Sequence, residues 1–264
     1  MVNEKLCAPN KLLPCKVKLP SCNRRLLTCS LVFLALFFVQ VLAGKAGWAV
    51  ADLFSFSYAS FDPNQLFAGL SIHHIVLMLT GLAVIGVLSR LTKADFCLGL
   101  GDAQKGLRYF LIFTAVIALI ALIYHILMYV LGQAPAFDYP LTNKNVLGTL
   151  GFQLFLSGTS EEILYRALPV TVFVYVCGKS VPLKGDITLE VVLASLLFTV
   201  AHIEWSLFPF SAEFIPSQLG YAFTMGIVSG IVYQQSRSII YPMLMHSISN
   251  VLMVGTGYLF VVLL

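Results

Sequence analysis

The chain has 264 residues, of which 59% are hydrophobic and only 11% are charged, and its mean hydropathy is +0.90. Soluble domains carry about a quarter charged residues, so this composition excludes an ordinary soluble domain and indicates a membrane protein. The net charge of +4 does not indicate nucleic-acid binding, because six of the basic residues cluster ahead of the first apolar run, where they act as a topology signal.

Residues 1–25 are predicted to form a basic cytoplasmic tail, and residues 26–264 a single multi-pass membrane domain. The domain contains seven apolar runs, at residues 26–43, 70–88, 109–131, 146–177, 191–202, 219–233 and 239–264. Since a span needs roughly 20 apolar residues, these runs predict an all-α bundle of about seven to eight transmembrane helices. The fourth run is long enough to be tilted or broken near Ser157 and Gly158, and the fifth is short unless it continues through Trp205.

The distribution of lysine and arginine predicts how this domain is oriented. If the chain alternates sides from a cytoplasmic N-terminus, the inner segments hold thirteen of these residues and the outer segments hold two, Lys45 and Lys144. The compactness of the chain favours a bacterial inner membrane over a eukaryotic organelle.

The six cysteines include no CxxC pair, so neither a zinc ribbon nor a thioredoxin-like motif has support. Four of them lie in or beside the basic tail, and we expect these to be unpaired thiols in a reducing compartment: Cys7, Cys15, Cys22 and Cys29.

Two glycine patterns have simple explanations. Gly226 and Gly230 form a GxxxG in the sixth run, which predicts ordinary close packing of helices. The segment from Gly99 to Asp102 matches the GxGD of aspartyl intramembrane proteases, but that chemistry needs a second aspartate facing the first across two spans. No other aspartate lies in an apolar run, and Asp102 itself lies in a basic inner loop.

Three charged residues lie inside the apolar runs: Glu161, Glu162 and Arg166. Each costs roughly 2.5 to 3.5 kcal/mol at the centre of a span, so each needs a partner or a function. Residues four apart share a helix face whereas residues five apart do not. Glu162 is therefore predicted to pair with Arg166, and Glu161 to point elsewhere and remain available for chemistry.

Other polar groups are placed at a similar depth in the membrane. His202 closes the fifth run, and His246 and Asn250 lie four apart in the last run, on one helix face. By helix rise these groups and Glu161 all fall near the middle of the bilayer core, so they could converge on one polar cavity. The remaining histidines, His73, His74 and His125, are expected to be packing residues.

These residues form three motifs: EExxxR over residues 161–166, FxxxH from Phe198 to His202, and HxxxN from His246 to Asn250. In this order they resemble the CPBP family, which comprises CAAX-processing proteases and bacterial relatives linked to bacteriocin processing and immunity, also called Abi proteins. The resemblance covers residues 146–254 and implies a glutamate-dependent intramembrane protease with about eight helices around a polar cavity.

The resemblance also implies a role for each motif residue. Glu161 and His202 would activate water, and His246 and Asn250 would stabilise the tetrahedral oxyanion. Glu162, Arg166 and Phe198 would support them, and no cofactor is expected. Amide hydrolysis needs an activated water and donors for the developing oxyanion, so these residue types suit the chemistry. The expected substrate is a membrane protein or membrane-associated peptide.

Three alternatives remain open. Glu161, His202 and His246 could instead hold zinc with a water in its open position, although no HExxH motif is present. A buried Glu/His set could also serve a proton-coupled transporter, and a non-catalytic immunity or scaffold protein would need no chemistry at all.

Overall fold

The computed structural model describes residues 22–133, 135–207 and 210–263. Most of the predicted basic tail, with Cys7 and Cys15, therefore lies outside the described residues. The described chain is largely helical, and we number its helices α1 (Cys22–Leu53), α2 (Ser55–Tyr58), α3 (Ala68–Thr92), α4 (Ala103–Val130), α5 (Asn143–Phe152), α6 (Gly158–Glu162), α7 (Leu168–Cys177), α8 (Leu189–Val200), α9 (Pro216–Ser236) and α10 (Ile240–Leu263). The predicted all-α membrane bundle is confirmed.

Four of the described helices are long and apolar enough to cross a membrane: Leu27–Leu53 within α1, and all of α3, α4 and α10. They direct many large apolar side chains outward, among them Leu119 and Ile123 on α4. Such a surface suits lipid rather than water. Helix α1 continues ten residues beyond the predicted end of the first run at residue 43, so Lys45 lies within a helix rather than in an outer loop.

The fourth apolar run forms the centre of the bundle. Residues 143–177 stay helical throughout, because two π-helical segments, Gln153–Ser157 and Ile163–Ala167, join α5, α6 and α7 end to end. The expected break near Ser157 and Gly158 is therefore a widened turn and not an interruption. The helix is buried along its second half, where Leu164, Leu168 and Phe173 are fully enclosed.

Gly158 brings the central helix close to α10. A Cβ atom at this position would lie 2.7 Å from the backbone nitrogen of Ser247 and 3.0 Å from Cβ of His246. Only glycine leaves room for this approach, which sets the distance between the residues of α6 and the side chains of α10. The GxxxG of α9 acts in the same way, since Gly226 packs on Ser195 and Gly230 on Val191 of α8.

Helix α8 does not continue through Trp205. It ends at Val200, because the backbone N–H groups of His202 and Ile203 turn back to the carbonyls of Thr199 and Val200. The chain then forms a hairpin of strands β3 (Glu204–Leu207) and β4 (Phe210–Glu213), numbered after the hairpin β1 (Pro182–Lys184) and β2 (Ile187–Thr188) that precedes α8. The continuation of the fifth helix through Trp205 is therefore wrong.

The GxGD segment has a structural role. Asp102 caps the N-terminus of α4 by accepting a hydrogen bond from the backbone N–H of Lys105 at 2.9 Å. Gly101 has a φ of +53°, and a Cβ there would meet the carbonyl oxygen of Ser236.

Helix α1 packs against α7 through a pair of thiols. The Sγ atoms of Cys29 and Cys177 lie 3.3 Å apart, and both side chains are buried. We predict that a membrane-permeant disulfide oxidant such as diamide joins these two residues within one chain, in a variant whose other four cysteines are serine. Mass spectrometry of the linked peptides, before and after reduction, measures the bond.

The matched control for this cross-link is the same variant with Cys29→Ser, which must give no linked peptide. A variant that retains both thiols and forms no intramolecular disulfide would show that α1 does not lie against α7.

Candidate active site

The four residues predicted to carry the chemistry lie around one cavity of about 350 Å³. Glu161 comes from α6, His202 from the turn after α8, and His246 and Asn250 from α10. Helix α9 closes the remaining side. The other lining residues are Gln153, Ser157, Phe198, Gln218, Tyr221, Ala222, Met225, Met253 and Val254. The structure thus brings the predicted residues together, while their catalytic roles remain predictions.

A cluster of buried charged side chains packs next to the cavity and contacts two of its lining residues, Phe198 and His246. Glu162 pairs with Arg166 as predicted, with 3.4 Å between Oε2 and Nε, and neither side chain is exposed. Its other oxygen, Oε1, accepts a hydrogen bond from Nδ1 of His246 at 2.9 Å. The guanidinium of Arg166 stacks on the ring of Phe198, 4.1 Å from its centroid. The cost of burying this cation is offset by a carboxylate and an aromatic face.

Glu161 points away from its neighbour Glu162 and toward the cavity, as the helix geometry predicts. Its side chain keeps 19% of its surface exposed, whereas that of Glu162 keeps none. Oε2 of Glu161 lies 3.7 Å from Nε2 of His246, and Oε1 lies 3.9 Å from Nε2 of His74. The carboxylate is therefore bracketed by two imidazoles and still open to the cavity.

The tautomer of His202 follows from its hydrogen bond. Nδ1 lies 2.8 Å from the backbone carbonyl oxygen of Phe198, which can only accept, so Nδ1 carries a hydrogen. In the neutral ring Nε2 then bears a lone pair. The same bond satisfies one of the unpaired carbonyls at the end of α8 and holds the ring 4.6 Å from that of Phe198. His202 is thus positioned as a proton acceptor.

His246 lies between two carboxylates. Both of its nitrogens face acceptor oxygens, Nδ1 that of Glu162 and Nε2 that of Glu161. Since a carboxylate only accepts, this geometry favours an imidazolium with hydrogens on both nitrogens. Together with Arg166, it balances the carboxylates of Glu161 and Glu162.

Asn250 is oriented by Ser157. Its Nδ2 donates to the Ser157 hydroxyl oxygen at 3.1 Å, which directs the amide toward the cavity. The second hydrogen on Nδ2 has no hydrogen-bond partner among the described residues. Asn250 therefore offers a fixed donor to a group in the cavity.

One residue at this site was missed by the sequence analysis. His74 of α3 was expected to be a packing residue, yet it contacts Glu161 and hydrogen-bonds Ser160. The only sequence signal was a pair of adjacent histidines in an apolar run, and nothing in the pattern chose between them. Its neighbour His73 stacks on Trp48, and His125 bonds the carbonyl of Ala121 in its own helix, as packing residues do.

A zinc site needs at least three ligands from the protein. Within residues 22–133, 135–207 and 210–263, no three His, Cys, Asp or Glu side chains are arranged to hold a metal ion. The zinc alternative with Glu161, His202 and His246 stays a prediction.

The fold and the cavity define a membrane helix bundle with a glutamate–histidine site enclosed by its helices. Residues 143–252 match the family described as type II CAAX prenyl endopeptidase, Rce1-like. The match of this segment supports the resemblance to the CAAX protease (CPBP) family and indicates a peptide-bond hydrolase. Searches of curated proteins and of solved structures found no match. The matching segment contains Glu161, His202, His246 and Asn250, and it leaves out α1 to α4.

The buried ion pair generates a prediction about stability. We expect Arg166→Met to lower the free energy of unfolding by about 3 to 5 kcal/mol, because it leaves the enclosed Glu162 carboxylate without its cation. Thermal unfolding of the purified protein in detergent measures the loss. The double variant Glu162→Gln/Arg166→Met should regain part of it, since no unpaired charge remains there.

The matched control is Arg108→Met, which makes the same change at an exposed position of α4. Equal destabilisation by the two substitutions would mean that the Glu162–Arg166 contact contributes nothing.

Proposed function

We propose that this protein is an intramembrane endopeptidase that cleaves a membrane-associated protein or peptide with water activated by Glu161 and His202. The observation that carries the proposal is the convergence of a carboxylate, a proton-accepting imidazole and a fixed amide donor on one cavity within an apolar helix bundle. The family match of residues 143–252 supports the reaction class.

The base in this proposal is the pair of Glu161 and His202. They are not in direct ionic contact, and both line the cavity. A water placed between them can donate one hydrogen bond to the Glu161 carboxylate and one to Nε2 of His202. Both acceptors increase the nucleophilicity of the water oxygen, and one of them takes the proton as the new C–O bond forms.

The oxyanion is stabilised from α10. As water attacks the scissile carbonyl, the carbonyl oxygen gains negative charge. This charge suits the free N–H of Asn250 and the Nε2–H of His246, which at 3.7 Å from Glu161 makes no hydrogen bond with that carboxylate. These donors lie one helical turn apart on one face. Each is fixed by a further hydrogen bond, His246 to Glu162 and Asn250 to Ser157. Donors fixed in advance in a site that excludes bulk water stabilise such charge most effectively.

The proton taken from water completes the reaction. When the tetrahedral intermediate collapses, the C–N bond breaks and the nitrogen receives that proton from the base. The net change is one water consumed, with one carboxyl group and one amine released.

The substrate class is the finer part of the proposal. The name of the family indicates a prenylated CAAX terminus, so the first substrate to test is an internally quenched peptide that ends in a prenylated CAAX sequence. Substrates of other kinds can be found by comparative proteomics of membranes from cells with the active and the inactive protein. A substrate would appear as a truncated product only where the protein is active.

We predict that Glu161→Gln lowers cleavage of the substrate by about 100- to 10,000-fold, the range expected for loss of a general base. Folding and abundance in the membrane should be unchanged, because Glu161 is not part of the enclosed ion pair. Cleavage rate, quantified membrane abundance and thermal unfolding are measured together. His125→Gln is the matched control, since His125 is buried away from the cavity.

Wild-type activity of Glu161→Gln in a correctly folded protein would refute the proposed mechanism. Full biological function without any cleaved product would favour the scaffold alternative.

A second prediction concerns the metal. We expect cleavage to survive thorough chelation of the purified protein with a strong zinc chelator, because no step in the proposal uses a metal. Activity that disappears on chelation and returns with added zinc would favour the zinc-dependent alternative instead.

A further inference from the structure

We propose that His74 is a positioning residue for Glu161, the third imidazole of the site beside His202 and His246. The inference rests on the proposed function and adds to it a residue of α3, outside the segment that matches the family. Its basis is the geometry with which His74 is held against the carboxylate.

The orientation of the His74 ring is determined by a chain of hydrogen bonds. The Ser160 Oγ lies 2.7 Å from Nδ1 of His74 and 3.1 Å from the backbone carbonyl oxygen of Ser157, so the ring nitrogen is the closer of two acceptors for its hydrogen. Nε2 of His74 faces a carboxylate oxygen, which only accepts, so the ring carries its hydrogen on Nε2 and Nδ1 accepts from the Ser160 hydroxyl. This bond turns Nε2 toward Oε1 of Glu161, 3.9 Å away.

His74 and His246 hold the carboxylate in matching ways. Ser160 and Glu162, the residues on either side of Glu161, bind the Nδ1 atoms of His74 and His246 respectively. The two Nε2 atoms then face opposite oxygens of the Glu161 carboxylate. Rotation of the carboxylate would take at least one oxygen away from its imidazole, so the pair restricts its orientation.

The pattern of contacts separates His74 from a packing histidine. His125 has comparable burial, but its Nδ1 bonds the carbonyl of Ala121 one turn earlier in the same helix. His74 makes no such local bond. It reaches across to Ser160 on the central helix and packs its ring against Phe152 there. Both contacts join α3 to the segment that carries Glu161.

The position of His74 predicts which kinetic constant responds to its loss. His74 is buried and does not line the cavity, so it has no access to substrate. Its effect must pass through Glu161. Removing it should therefore lower kcat and leave KM nearly unchanged.

The test compares purified His74→Gln with wild type on whichever substrate the wild type cleaves, the prenylated reporter peptide or the protein found by membrane proteomics. We expect kcat to fall on the order of 100-fold, the loss that a misplacement of about 1 Å causes. Ser160→Ala, which removes only the hydroxyl that holds Nδ1, should lower kcat less. Its effect should add little to that of His74→Gln in the double variant.

The matched control is His125→Gln, which makes the same substitution at another buried histidine and should leave kcat and KM unchanged. If His74→Gln fails to fold, Ser160→Ala alone carries the test. The inference is overturned if folded His74→Gln and Ser160→Ala both keep the wild-type kcat, or if only KM changes. The proposed function still stands in that case, provided that Glu161→Gln is inactive. A wild type without peptidase activity refutes the proposed function itself, and this inference with it.

Discussion

A guanidinium enclosed among apolar helices is stable only where opposite charge surrounds it. Arg166 has no exposed surface, so the cost of burying its charge must be offset by the groups it contacts. These include the Glu162 carboxylate, the face of Phe198 and the backbone carbonyl of Tyr165. Glu162 in turn binds His246. This single cluster therefore connects the central helix, α8 and α10, the three elements that carry the predicted catalytic residues. Two of its members, Glu162 and Arg166, take no part in the proposed reaction and hold His246 and Phe198 beside the cavity.

The backbone makes this arrangement possible. Two π-helical segments flank α6, and widened turns of this kind often occur at functional sites because they redirect the side chains that follow. Between them, adjacent glutamates face different surroundings, one enclosed with a cation and one open to the cavity. Gly158 adds the close approach of α10 that lets His246 contact both carboxylates. A helix of regular pitch with a larger residue at that position would separate these groups.

The sequence predicts an interaction well when its residues are close along the chain, and poorly when they come from different helices. The pairing of Glu162 with Arg166 and the shared face of His246 and Asn250 follow from helix periodicity, and both are found. The helix end after Val200 and the following hairpin do not follow, because an apolar run ending in His and Trp suits either a helix or a strand. His74 could not be identified, since its partners lie on another helix and no local rule selects them.

The contacts of α3 show that the candidate site extends beyond the segment that matches the family. Gly81 of α3 packs against Ile163 in the second π-helical segment, where a Cβ atom would lie 2.9 Å from that side chain. His74 lies two turns earlier on the same helix and contacts Glu161 directly. Because the two contacts flank one stretch of the central helix, α3 both supports the widened turn and supplies an imidazole next to it. Residues 143–252 hold the proposed catalytic groups, but their environment is completed by a helix that the family match leaves out.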